Sequence, residues 1–90
     1  MLLKSKTAGK VSGTGTITLD TGILGGVLIS TDGTNAAAVV IQKTNSSGEK
    51  VLDVSTKQPL WVGAPMDVGA TMYYDISGTG ASAQLYEYVP

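Results

Sequence analysis

The sequence predicts an all-β domain: an antiparallel β-sandwich, or a jelly-roll-like small barrel of about seven or eight short strands, with an extended N-terminal arm. Three observations carry that prediction. Apolar and β-branched residues alternate over short runs, turn-forming Gly, Ser, Asn and Asp clusters recur roughly every 8–12 residues, and no window sustains a period near ~3.6 residues. The arm is assigned to residues 1–12 and the folded domain to residues 13–90.

The chain opens Met1-Leu2-Leu3-Lys4-Ser5-Lys6-Thr7-Ala8-Gly9-Lys10, basic and without an acid. It leads into Ser12-Gly13-Thr14-Gly15, where the glycine density resists helix and favours extended chain. Thr16-Ile17-Thr18-Leu19 alternates as a half-buried strand does. Ile23–Ser30 is a nearly continuous apolar run interrupted by Gly25-Gly26, which marks a bulge or a close backbone approach. Thr31-Asp32-Gly33-Thr34-Asn35 carries the Asp-Gly signal of a tight hairpin, with Ala36–Lys43 as its return strand.

Asn45-Ser46-Ser47-Gly48 is the next turn, followed by Val51-Leu52-Asp53-Val54. Pro59 and Pro65 bracket Leu60-Trp61-Val62, and because proline donates no ladder hydrogen bond this strand is expected to be short or at an edge. Thr71–Ser77 places Met72, Tyr74 and Ile76 on one face and Tyr73 and Asp75 on the other. The last strand, Gln84–Val89, follows the turn Gly78-Thr79-Gly80. The expected core is Ile17, Leu19, Val27, Ile29, Val39, Ile41, Leu52, Val54, Met72, Tyr74, Ile76 and Leu85.

Composition narrows the chemistry. The 90 residues include no His, Cys or Phe, so a Ser-His or Cys-His nucleophile, a zinc site of the usual N/S type and a disulfide are all excluded. Six Lys+Arg against seven Asp+Glu give a net charge of −1, with 14% charged residues, which is a poor electrostatic match for nucleic acid or an anionic membrane. No stretch reaches the ~18 apolar residues of a membrane span, and the two N-terminal leucines fall short of a signal-peptide core, so cytoplasmic synthesis is expected.

Each candidate site also has a plainer structural role. The Ser12–Gly15 glycines lack the strand-before, helix-after setting of a phosphate loop. Asp32 with Asn35, and Asp75 with Glu87, come nearest to a Ca²⁺ set, but turn capping accounts for such residues without a six-to-eight-oxygen loop. Asp53, Asp67, Asp75 and Glu87 are the carboxylates available for acid/base work, and nothing in the sequence brings two of them to one cleft. No enzyme activity, cofactor or metal is expected. The aromatics are Trp61, Tyr73, Tyr74, Tyr86 and Tyr88. Tyr86 and Tyr88 share a face, and an outward Tyr or Trp on a rigid sheet buries much area at low rotamer cost, so Trp61, Tyr73, Tyr86 and Tyr88 are the candidate interface residues.

With its Gly/Thr-rich strands, closing on Met72-Tyr73-Tyr74-Asp75-Ile76-Ser77-Gly78-Thr79-Gly80-Ala81-Ser82-Ala83-Gln84-Leu85-Tyr86-Glu87-Tyr88-Val89, the chain from about Val11 resembles small virion proteins of tailed bacteriophages. The likeness is to the compact β-sandwich decoration, or cement, proteins on the outside of phage heads. That resemblance implies a non-enzymatic structural protein on the outer capsid surface. It would bind the major capsid protein, bridge neighbouring subunits and self-associate, with a trimer favoured. On this reading Lys4, Lys6 and Lys10 form a capsid-contacting arm, removable without much loss of thermal stability. The alternatives are a phage tail or fibre module, or a host-glycan binding module using outward Trp and Tyr as stacking platforms.

Overall fold

A computed structural model describes residues 2–63 and 65–90; Met1, in the N-terminal segment, and Ala64, in the body, lie outside the described residues. The described residues form no helix and nine strands: β1 (Leu2–Ser5), β2 (Gly13–Thr18), β3 (Ile23–Ser30), β4 (Ala37–Lys43), β5 (Lys50–Thr56), β6 (Leu60–Val62), β7 (Met66–Asp67), β8 (Thr71–Ser77) and β9 (Ser82–Val89). Every ladder is antiparallel. One sheet has the order β1-β9-β3-β6, with β7 also on β3, and the other has the order β2-β8-β4-β5.

The pairings are nested. β4 pairs with β5, β3 with β6 and β7, β2 with β8, and β1 with β9, as if one long hairpin had been folded over on itself. The ladders β3–β9 and β4–β8 then complete the two sheets. This is a jelly-roll arrangement of a β-sandwich, and its shortest extent of 20 Å fits two sheets about 10 Å apart with side chains on both outer faces.

The expected core is where the sequence puts it. Leu19, Val27, Ile29, Val39, Ile41, Met72, Ile76 and Leu85 are buried between the sheets, while Ile17, Leu52, Val54 and Tyr74 are partly buried against them. Leu24, Val68, Ala37, Ala81 and Ala83 join the buried set. Leu24 and Val27 are an odd number of residues apart, so in a regular strand only one of them faces inward. The register shift between Leu24 and Gly26 puts the extra residue, Gly25, into a bulge and lets both reach the core.

The glycine pair also meets the expectation of close approach. A Cβ on Gly26 would run into the six-membered ring of Trp61, and one on Gly25 would lie 2.5 Å from the Leu3 side chain and 3.1 Å from the Tyr88 nitrogen. Leu60-Trp61-Val62 is a three-residue edge strand, as its flanking prolines require. The Asn45–Gly48 segment joins β4 to β5 as a hairpin, with the Gly48 amide donating to the Asn45 carbonyl at 2.9 Å and the Ser47 amide to Asn45 Oδ1 at 2.9 Å.

Two expectations differ from the structure. The Asp32-Gly33 segment is not a two-residue hairpin, because β3 and β4 belong to different sheets. Asp32 Oδ1 accepts the amides of Thr34 (2.9 Å) and Asn35 (2.7 Å), and Oδ2 accepts Asn35 Nδ2 at 2.8 Å, so its carboxylate curls the loop into an arch between sheets. Gly33 still takes the positive φ of 85° that the Asp-Gly pair signals. The N-terminal segment is extended, yet it is not detached: Leu2–Ser5 pairs in register with Tyr86–Val89, and Val11 exchanges backbone hydrogen bonds of 2.8 and 2.9 Å with Ala83.

Removing residues 2–6 should therefore lower the melting temperature by several degrees rather than leave it unchanged, as a thermal melt will show. Gly26→Val should destabilise by about 2 kcal/mol through overpacking. The single Trp makes this site-specific: displacement of Trp61 will shift its fluorescence maximum to the red.

Candidate functional site

The outer faces of the two sheets differ in chemistry. Strand parity assigns Thr14, Thr16 and Thr18 of β2, Tyr73 and Asp75 of β8, Val40 and Gln42 of β4, and Lys50 and Asp53 of β5 to the outside of the β2-β8-β4-β5 sheet. That face is polar and hydroxyl-rich. On the other sheet the register aligns Leu3 with Tyr88, Gly26 with Tyr86, and Leu28 with both Gln84 and Trp61, all facing outward.

This second face is the candidate site. Trp61 is 45% exposed and meets Tyr86 edge-on, with ring centroids 5.6 Å apart and planes at 70°. Gly25 and Gly26 are small enough that Leu3 and Tyr88 close over one and the indole over the other. The result is a low aromatic surface that continues to the exposed Leu3 at one edge of the sheet, while the exposed Leu2 and Leu60 lie in the opposite phase of their strands. Edge-to-face aromatic packing fixes the indole, so much of its ordering cost is met before a partner arrives.

Of the four aromatics expected at an interface, the structure brings together Trp61, Tyr86 and Tyr88 and separates Tyr73, which faces outward from the opposite sheet. The three lysines are separated too. Lys4 and Lys10 are exposed, whereas Lys6 is half-buried with Nζ 3.4 Å from Glu87 Oε1. Lys6 is thus held inside the fold and not available to an arm.

Glu87 is the residue that sequence reasoning assigned to the wrong setting. It is fully buried, in the inward phase of β9 with Ala83 and Leu85. Its Oε2 accepts the Thr21 amide at 2.6 Å and the Thr21 hydroxyl at 2.9 Å, and Lys6 is the cation facing Oε1. Burial opposes ionisation of this carboxyl, but the two Thr21 donors and the Lys6 charge outweigh it and hold the pKa below the ordinary glutamate value. The signal was present in the sequence: if Tyr86 and Tyr88 face out, Glu87 must face in.

The remaining carboxylates are scattered. Asp75 and Glu87 lie on different sheets, one facing out and the other in. Asp53 and Asp75 flank Val40 on the outer face of β5-β4-β8, and Asp53 Oδ2 is 3.5 Å from Lys50 Nζ. Asp67 sits in the short strand β7, its Oδ1 accepting the Gly69 amide at 3.2 Å. Asp32 has both oxygens engaged in its own loop, and hydrogen bonds from Asn35 and Thr34 lower its pKa. Among the described residues no group of three or more Asp and Glu is placed to hold a metal ion. No protein-family model matches the chain, and neither a curated protein nor a solved structure matches it.

Glu87→Gln leaves Lys6 without a counter-charge and should cost about 2–3 kcal/mol near neutral pH. A carboxyl whose folded pKa is depressed stabilises fully above its unfolded pKa of about 4.3, and that contribution is lost as pH falls through the lower folded value. Denaturation midpoints measured from pH 7 downward should show the gap between wild type and Glu87→Gln narrowing below about pH 4.3.

Proposed function

We propose that this chain is a non-enzymatic structural protein of a virion, decorating the outside of a tailed-phage head and bridging neighbouring subunits of the major capsid protein. The observation that carries this reading is the concentration of exposed apolar area on one outer face: Trp61, Tyr86 and Tyr88 with Leu3 and Leu28, on a molecule whose opposite face is polar. Aromatic anchors held by a rigid sheet suit a lasting contact with another protein surface. The jelly-roll sandwich supports the same reading, since it presents such a face on a compact scaffold with few reactive groups. Sparse charge, 14% of residues, leaves little long-range steering, so affinity must come from area, shape and many copies on a lattice.

Self-association, with a trimer favoured, belongs to this proposal. So does the outward use of Lys4 and Lys10, both exposed beside the aromatic sheet or its entry. A second reading, host-glycan binding, draws on the exposure of Trp61, since an indole face stacks on the apolar side of a sugar ring.

Co-sedimentation with empty, expanded heads of tailed phages tests the first reading. Saturable binding is expected, weakened at least tenfold by Trp61→Ala, in keeping with the ~2 kcal/mol or more of an aromatic anchor. Absence of binding at high micromolar concentration counts against it. A glycan array carrying wild type and Trp61→Ala decides the second: sugar binding that disappears with the indole would put the stacking role first.

A further inference from the structure

Among the described residues the sandwich has four free strand edges, and three of them carry the usual defences against pairing with another chain. β1 offers only four residues and carries Lys4; β6 has three residues and lies between Pro59 and Pro65; β5 carries Lys50 and Asp53. β2 is different. Its six residues, Gly13-Thr14-Gly15-Thr16-Ile17-Thr18, include no charge and no proline, and among the described residues its only ladder partner is β8.

The direction of its free hydrogen bonds follows from the register. Gly13 pairs with Ile76 and Thr18 with Thr71, and the Leu19 amide extends the same ladder by donating to the Ala70 carbonyl at 2.7 Å. Antiparallel residues alternate between bonding the partner and facing away, so Gly13, Gly15 and Ile17 bond β8 while the amides and carbonyls of Thr14, Thr16 and Thr18 point out of the sheet. All three threonines are exposed.

We propose that β2 pairs antiparallel with β2 of a second copy, about a two-fold axis at Thr16. That register sets Thr16 opposite Thr16 and Thr14 opposite Thr18 of the second copy, joining the outward-pointing amides and carbonyls into one ladder. Cross-strand Thr pairs are among the favourable ones on a sheet face. Gly15 meets Ile17 of the second copy on the inner face, where the Tyr74 ring already lies over Gly15. Charges agree with this pairing. Exposed Lys10 precedes the strand and exposed Asp20 follows it, so the antiparallel arrangement draws Lys10 of each copy toward Asp20 of the other. A parallel arrangement sets like charges together instead. The product is one eight-stranded sheet, β5-β4-β8-β2 continued by its mirror order, with the aromatic face of the other sheet left free.

The contact is a two-fold one of the free protein, distinct from the trimer proposed on the capsid, so it is measured on the protein alone and stands or falls apart from the decoration reading. Sedimentation velocity from 1 to about 500 µM should show a monomer–dimer equilibrium for wild type. Thr16→Lys, which opposes two like charges at the axis, and Thr16→Pro, which removes an outward amide and leaves the β8 ladder intact, should each weaken the dimer at least tenfold. Circular dichroism should show both variants folded. Lys10→Glu should weaken the dimer, and Lys10→Glu with Asp20→Lys should restore it. A wild type that stays monomeric throughout overturns the proposal, as does a dimer indifferent to both Thr16 variants or one lost instead on Trp61→Ala.

Discussion

The fold depends on a carboxylate buried where apolar side chains would be expected. Glu87 sits in the C-terminal half of β9, the strand that carries β1 on one side and β3 on the other, and its oxygens reach Thr21 in the β2–β3 connection and Lys6 just beyond β1. Three segments far apart in sequence are thereby held to one point. An uncompensated charge there would cost several kcal/mol, so the ionised form is tolerable only when Thr21 and Lys6 are both present. The Thr21 hydroxyl also lies 2.9 Å from the Tyr88 carbonyl, so its one proton is shared between the Glu87 side chain and the backbone of the strand.

This constraint bears on register. A four-residue edge strand has little intrinsic pairing strength, and a slip of one residue on β9 would exchange Leu3 and Lys4 between faces. It would also pull Lys6 away from Glu87. The charge pair thus gives β1 a preferred alignment that its apolar residues cannot specify alone, and that alignment places Leu3 over Gly25 beside Tyr88. The aromatic face is complete only when the N-terminal strand is seated, so the buried ion pair on one side of the sheet sets the surface on the other.

Much of this was legible in the sequence because the decisive signals are local. Period-two alternation picks out Val39 and Ile41 of β4, Met72, Tyr74 and Ile76 of β8 and Leu85 of β9 as inward, the prolines predict a strand that is short or at an edge, and Gly25-Gly26 signals a bulge or a close approach; Ala83 and Glu87 share the phase of Leu85 but escape an apolar pattern because one is small and the other charged. Asp32-Gly33 misled because an Asx-stabilised turn looks the same whether the chain returns in one sheet or crosses to the other, and that choice is made by strand partners far away. The N-terminal segment looks like a free arm in the sequence for a related reason: its lysines signal solvent, while the partner that buries Lys6 lies at the opposite end of the chain. Tyr73 lies close in sequence to Tyr86 and Tyr88, but folding the ribbon places β8 and β9 in different sheets. Val68 was invisible for want of a strand long enough to show a period.

The division of labour between the sheets gives the proposed roles a common physical basis. A part that bridges neighbours needs at least two contact surfaces usable at the same time. In a sandwich the two outer faces are separated by the core, and a strand edge points at right angles to both. The aromatic face belongs to β1-β9-β3-β6 and the unguarded edge to β2, so occupation of one does not shadow the other. Their chemistries also differ: a face offers apolar area, which is adaptable in orientation, whereas an edge offers directional hydrogen bonds, which fix it. Each surface is modest alone. Joined in one rigid 90-residue unit, the first contact raises the effective concentration of the second, so a small domain with few charges can hold a position on a repeating surface that neither contact would secure by itself.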